Sequence, residues 1–456
     1  LLLFFRKEES FFFSETLLKA STIALLYTVF ASVLVVLLAV TMPPLQNADE
    51  EAHAYRADQV SRGVLLGQVL PDGEYGGAVS DGLLTLQQRT DMLRFHPERK
   101  ATREMSLPLP WGRAVARGFP NTAVNPPVFY APAAVADAAA RRFGVTLPRG
   151  LVAMRLAEGA ASVVLGTAAI ALGGEAAVWL FTVLLLPMAV AVGAAVTQDG
   201  PMLGCTALAV SLYLHLRKPQ AGFAGLAFAA MCVLLTLVGM ARVPYFAFVL
   251  LVAATPVTRW WRVAGAVLMA VCVAAWSARS AAHFPLPVRA DGIVSPGLQV
   301  LGLVLHPWRV PLIAYRTFAA NDWFIAHSFI GQLGWLDVEL PGIYRDFAWA
   351  GLVLAAFASV RWGYLRGWWL EVLAVAGAVA GVGMIQYMTW TVVGAPVVDG
   401  VQGRYFLAPA LVLGVVFSRG GGVGLPGARL AALAVMVLPV LSISVTVHEV
   451  ILRYYF

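Results

Sequence analysis

LKASTIALLYTVFASVLVVLLAVTMPPLQNADEEAHAYRADQVSRG, residues 18–63, sets a long apolar run against a densely charged one. As a helix, Leu18–Met42 would span more than the roughly 30 Å of a bilayer's hydrocarbon core at about 1.5 Å per residue. Beyond it, Asn47–Gly63 carries Asp49, Glu50, Glu51, Asp58, His53, Arg56 and Arg62, in a chain only 12% charged. The junction reads as a membrane helix emerging into water. If the charged stretch is helical, Asp49, His53 and Arg56 fall at i, i+4 and i+7 and share one face. A structural reading stands beside this one. Asn47 followed by Glu50 resembles a capping box, and acids in a first turn complement the helix dipole. The sequence leaves both open.

Composition extends the membrane reading to the whole chain. Of 456 residues 60% are hydrophobic, more than a soluble fold can hide, so an all-α polytopic membrane protein is expected. The net charge of +7 does not point to nucleic acid, because many of the basic residues sit in short loops, where they set orientation. Cys205, Cys232 and Cys272 lie in apolar runs with no CxxC or metal spacing and read as small packing residues. No cleavable signal peptide is evident: residues 1–17 are amphipathic, and the first span is too long for a signal core. The chain begins without Met, as a trimmed chain would.

Taken in order, residues 1–17 are expected to be a cytoplasmic amphipathic start and 18–43 the first transmembrane helix. Arg6, Lys7 and Lys19 place the amino terminus in the cytoplasm. Residues 44–150 are too polar to cross and form an external loop. In it, Asn125-Pro126-Pro127 precedes an Ala-rich helix, Val128–Phe143, expected at the interface. Residues 151–282 hold transmembrane helices 2–7, at about 151–173, 177–197, 201–216, 221–241, 244–257 and 263–282. Residues 283–345 form another external loop, with an amphipathic stretch Leu298–Phe318. Residues 346–456 hold helices 8–11, at about 346–360, 368–390, 404–418 and 429–448. About eleven spans put the carboxyl terminus outside. Arg217-Lys218, Arg259/Arg262, Arg361/Arg366 and Arg419/Arg429 then fall on the cytoplasmic side.

Several features break the pattern. Pro244–Val257 would give only about 21 Å of helix, and Arg242 precedes it in ARVPY; charge and irregular backbone at depth are tolerated where they line protein or a wet cavity. A snorkelling interfacial Arg is the plainer account of Arg242, and of Arg404 in DGVQGRYF. Thr197-Gln198-Asp199-Gly200 caps the junction of the third and fourth spans, so Asp199 should face outward beside Asp49, although Asp-Gly-Pro is also an ordinary turn. In the second external loop Trp323, Trp335 and Tyr344 suit an interface belt, and Asp322, His327, Asp337 and Glu339 read individually as solvated charges. There is no Walker A, Rossmann, HExxH or GxSxG pattern, and GGGVGLPG at 420–427 reads as a flexible loop.

PPLQNADEEAHAYRADQVSRG, NPPVFYAPAAVADAAARRFG, TQDG, ARVPY, FIGQLGWLDVELP and GVQGRYFLAP, in this order from residue 43 to about 415, resemble the membrane-protein family called domain of unknown function 2142. That family is grouped with the C-type (GT-C) glycosyltransferases, integral membrane enzymes that use lipid-phosphate-linked sugars and carry acids in the first external loop. The resemblance implies a GT-C-like bundle with interfacial helices in the two large external loops, in a bacterial inner membrane with the active site facing the periplasm. It implies catalytic acids at Asp49 and Glu50, with Asp199 resembling a second acidic position. Glu51 departs from the family pattern, where Pro is frequent, and the insert at 80–120 has no recognised counterpart.

The implied reaction moves a sugar from a polyprenyl-phosphate donor to a glycan or lipid acceptor of the cell envelope, with inversion expected. A carboxylate must take the acceptor proton, and cations must meet the leaving phosphate. Asp49 is the first choice of base, then Glu50. Arg404 and Arg242 are the leading phosphate ligands, with Arg56 and His53 after them. Tyr55, Gln402, Tyr405, Trp335 and Asp337 are the substrate-binding candidates within the same motifs. A divalent cation (Mg or Mn) bridging Asp49 and His53 is possible chemistry, but two ligands do not make a site. The competing reading is a transporter or flippase of lipid-linked saccharide, which charged residues in spans and broken helices would suit.

Overall fold

The first apolar run is a helix, α1 (Ala20–Thr41), that stops where Pro43-Pro44 cannot continue it. Ile23, Tyr27, Ala31, Leu34 and Leu38 line its buried face, while Leu25, Val29, Val33, Val36 and Val40 are exposed on the other. An apolar helix with an uncovered apolar face is what a bilayer-facing span requires. This computed structural model describes residues 18–218, 222–284, 286–362, 368–418 and 423–456, so the amino-terminal start at 1–17, with Arg6 and Lys7, the stretch 363–367, with Arg366, and residues 419–422, with Arg419 and the first part of the 420–427 loop, lie outside the described residues.

Behind α1 the chain builds a polar region of helices and short strands before the next long apolar helix. Its elements are α2 (Glu50–Ser61), β1 (Gln68–Val69), β2 (Tyr75–Ser80), α3 (Asp81–Thr90), β3 (Ala114–Gly118) and α4 (Ala131–Arg142). The strands form one antiparallel sheet in the order β1-β2-β3, with Gly76 opposite Gly118 and Ser80 opposite Ala114. The sequence reading expected interfacial helices alone in this region. Gly76 and Gly77 hide the strand pattern, and packing demands them: a Cβ at Gly76 would lie 2.0 Å from the Arg117 carbonyl oxygen, and one at Gly77 2.2 Å from the Gln59 amide. Tyr55, Leu83, Leu86, Trp111, Phe119 and Tyr130 form the core of this region.

The chain continues as α5 (Leu147–Leu172), α6 (Ala177–Leu184), α7 (Pro187–Gly193), α8 (Asp199–Leu216), α9 (Ala224–Ala241), α10 (Arg259–Ala281), α11 (Pro296–Leu305), α12 (Arg309–Ile330), α13 (Gly342–Ser359), α14 (Trp369–Thr389), α15 (Leu407–Phe417), α16 (Ala428–Val435) and α17 (Leu438–Tyr455). Among the described residues six helical stretches are long and apolar enough to cross a membrane, or up to eight if each of two bent pairs is one span. The architecture is therefore that of an all-α, multi-pass membrane protein. α5 runs against α1 at van der Waals contact because Gly159 and Gly166 leave room for Val35 and Tyr27.

The bends fall where the sequence interrupts helix. α6 and α7 meet at 79° ahead of Pro187. The expected amphipathic stretch Leu298–Phe318 is not one helix: α11 and α12 are bent by 115° at His306-Pro307-Trp308, where His306 is held out of the helical region. The short ARVPY stretch is irregular, Arg242 being extended and Val243–Phe248 forming a 3-10 helix that packs against α14. After α12 a small hairpin, β4 (Gln332–Leu333) and β5 (Val338–Glu339), turns the chain into α13. α17 returns to the polar region after α1, where the Tyr454 carbonyl accepts the Ala101 backbone N–H at 2.7 Å.

Candidate functional site

The turn after α1 separates two adjacent carboxylates. Helix α2 begins at Glu50, with Asp49 rather than Asn47 at its N-cap; Asp49 makes no capping bond and sits in the left-handed region at φ 61°. Asn47 instead donates from Nδ2 to the Glu50 carboxylate at 3.2 Å. Glu50 is fully buried and receives Arg155 Nε at 2.7 Å, Arg155 Nη2 at 2.6 Å and the Val196 N–H at 3.1 Å. The Arg155 guanidinium also donates to the carbonyls of Ala39, Met42 and Pro43, capping the end of α1. Glu50 thus ties α1, α2, α5 and the 196 loop together.

Asp49 faces the other way. Its carboxylate keeps 42% of its side-chain exposure and accepts Arg404 Nη2 at 3.0 Å, across 355 residues of sequence. Burial pushes this carboxyl up, but the Arg404, His53 and Arg94 charges outweigh it and hold it below the usual carboxylate range. One turn along α2, His53 Nδ1 lies 2.6 Å from the Tyr130 hydroxyl, which accepts Asn125 Nδ2 at 2.9 Å. Burial lowers the His53 pKa to about 4, with the Asp199 and Asp49 charges opposing and those of Arg404 and Arg242 adding. A neutral ring that takes the Tyr130 proton at Nδ1 keeps its own proton on Nε2.

The second acid–base pair closes the group. Asp199, at the start of α8, is held by Arg242 Nη2 at 2.7 Å to each oxygen and by Nε at 3.2 Å, the bidentate fork expected of guanidinium and carboxylate. Tyr405 lies against both guanidinium groups, 4.8 Å from Arg242 and 5.5 Å from Arg404. Tyr245 donates its hydroxyl to the Tyr405 carbonyl at 2.8 Å. Residues 49, 53, 199, 242, 404 and 405 are thereby brought together from the first helix junction, the α8 start, the ARVPY turn and the last motif. Several polar atoms here are buried without a hydrogen-bond partner: Arg404 Nε, Gln402 Oε1 and Gln198 Oε1. Such groups cost free energy unless a ligand or water meets them.

The remaining expected residues lie elsewhere. The one-face expectation holds for Asp49 and His53 but fails for Arg56, which is fully buried and donates to Gln59 and to the Leu65 and Asn125 carbonyls. Tyr55 donates to Gln87 Oε1 in the core of the region between α1 and α5. Asp337 accepts Arg453 Nε at 2.9 Å and the Trp335 N–H at 3.0 Å, which fixes the β4–β5 hairpin to α17. Trp335 is buried under Arg94, whose guanidinium carbon sits 3.5 Å from the ring centroid. No three His, Cys, Asp or Glu side chains among the described residues form a metal-holding group. Asp49 and His53 alone do not supply a coordination set, Asp49 being held by Arg404 and His53 Nδ1 by Tyr130.

The sequence reading passed over four residues that matter to this geometry. Arg155 and Glu158 are charges inside an apolar helix, a signal in its own right. Tyr130 carries no signal beyond the NPPVFY motif, and Arg94 lies in the 80–120 insert. Glu158 is fully buried; its Oε1 accepts the Ala133 N–H at 3.3 Å and its Oε2 has no partner.

A protein-family model described as Predicted membrane protein (DUF2142) matches residues 32–413. That range covers the junction, both Asp–Arg pairs and the His53–Tyr130 contact. No curated protein and no solved structure matches the chain.

Proposed function

We propose, for a chain that belongs to the DUF2142 family of predicted membrane proteins, that this site transfers a sugar from a polyprenyl-phosphate donor to a glycan or lipid acceptor. The observation that carries the reading is the paired arrangement of Asp49–Arg404 and Asp199–Arg242 beside His53. A half-exposed carboxylate beside an incompletely bonded guanidinium is what a displacement at an anomeric carbon needs. Asp49 takes the acceptor hydroxyl proton as that oxygen attacks; the bond from the anomeric carbon to the phosphate oxygen breaks, and the leaving lipid phosphate gains charge beside Arg404. Asp199 orients Arg242, and His53 donates from Nε2 to substrate. Glu50, with both oxygens occupied, holds the frame rather than the proton.

On this reading the chain is a GT-C-type bundle of about eleven crossings. α6–α7, α8, Val243–Ala254, α13 and α15 supply crossings beyond the long helices, and the prenyl chain lies in an apolar groove between them. The amino terminus is cytoplasmic, the membrane is a bacterial inner membrane, and residues 44–150 and 283–345 face the periplasm. The two bent helix pairs favour a second reading, transport of the lipid-linked saccharide, because broken helices serve alternating access. The test is purified protein in lipid vesicles with radiolabelled polyprenyl-phosphate sugars, together with Arg404→Gln. Release of free lipid phosphate by the wild type, and donor binding weakened about ten- to hundred-fold in Arg404→Gln, fit transfer. Intact donor crossing the bilayer without release contradicts it and supports the transporter.

A further inference from the structure

Next to Asp49 the surface carries a second constellation, assembled from three distant parts of the chain. Glu51 accepts Arg94 Nη1 at 3.2 Å. The Arg94 guanidinium carbon sits 3.5 Å from the ring centroid of Trp335 in the β4–β5 turn, and Arg94 Nε is buried without a hydrogen-bond partner. Phe95 and Trp335 pack edge-to-face at a centroid distance of 5.7 Å, yet Phe95 is 61% exposed. Its backbone is left-handed, at φ 57°. That conformation is costly for an aromatic residue and persists only where the surroundings enforce it. The fold therefore spends strain to hold an apolar ring in the open beside an acid and a guanidinium. Leu336, one residue past Trp335, is also left-handed at φ 65°.

We propose that Glu51, Arg94 and Phe95, supported by Trp335, form a subsite for a sugar ring of the acceptor. The inference rests on the transferase reading and gives the 80–120 insert a purpose. A pyranose presents an apolar C–H face, which an aromatic ring covers, and hydroxyls at its rim, which a carboxylate and a guanidinium can bond. Glu51 and Arg94 supply an acceptor and donors on one side, and Phe95 supplies the ring. The position is also right. Glu51 is two residues from Asp49, and both Glu51 and Arg94 lie close enough for their charges to act on or be acted on by the Asp49 carboxylate. A sugar seated here would bring a neighbouring hydroxyl toward the proposed base.

The test is saturation-transfer NMR on the full chain in phospholipid nanodiscs, with maltose, lactose and mannobiose as probes and no donor present. Transfer to at least one disaccharide is expected for the wild type. Phe95→Gly and Glu51→Gln should weaken it about ten-fold, the loss of one aromatic or charged contact. Phe95→Gly should melt no lower than the wild type, because Gly adopts the left-handed backbone freely; weaker binding from a protein of equal or greater stability separates recognition from folding. No transfer to any disaccharide in the wild type, or transfer unchanged in Phe95→Gly and Glu51→Gln, overturns the subsite. Sugar binding that depends on Phe95 in a protein that turns over no donor would keep the subsite and sink the transferase reading instead.

Discussion

Glu50 accepts four hydrogen bonds in a fully buried position, and Asp49 beside it accepts one from Arg404 while staying half open. The difference separates their mutants. Arg155→Met strands the Glu50 carboxylate and should cost about 3–5 kcal/mol, the range for breaking one side of a buried ion pair. A fall in Tm with prenyl-donor turnover retained in the folded fraction is the expected reading. His53 gives a pH signature. Its folded pKa, near 4, lies below the ordinary value, so the unfolded chain takes up a proton that the folded chain refuses. Its contribution to stability is present above the ordinary histidine pKa and is lost as pH falls toward 4. Tm measured from pH 7 to 4 should drop less steeply in His53→Gln than in the wild type.

At the scale of elements, α2 is fastened to β2 and α4 through Asp58. It pairs with Arg62 at 3.2 Å and also with Arg141 of α4, and it accepts the Ser80 N–H at the end of β2. Asp137 pairs with the same Arg141 at 2.9 Å and is fully buried. Burial, then the Asp58 charge, raises the Asp137 pKa to about 7. The sign is opposite to that of His53: stability present below the ordinary carboxylate pKa is lost as pH rises through 7. Asp137→Asn should therefore flatten the fall in Tm between about pH 4 and 7, and an unchanged profile would remove Asp137 from the account. Such ties explain what could be read in advance. Asp49, Asp199, Arg242 and Arg404 stand out as charges at the ends of apolar runs. The separate fates of Asp49 and Glu50 do not, because they depend on Arg155, 105 residues away. The β1-β2-β3 sheet was hidden because its central strand uses glycine where close packing requires it, whereas Pro307 marks the α11–α12 break in the sequence and only its angle does not follow from the apolar pattern.

For the molecule as a whole, the apolar runs made the multi-pass helical class legible, and the number and side of the crossings are what the runs alone leave open. If residues 44–150 are periplasmic, Asp72→Cys should react with an impermeant maleimide in intact cells and Lys218→Cys only after the membrane is opened. The reverse pattern would invert the orientation. The central claim concerns chemistry at Asp49, and the most direct measurement compares wild type with Asp49→Asn in lipid, supplied with radiolabelled polyprenyl-phosphate sugar and envelope acceptor. The account predicts donor binding within about two-fold of wild type and turnover reduced about 10²–10⁴-fold, the weight of a general base. Equal turnover in the two proteins would contradict it.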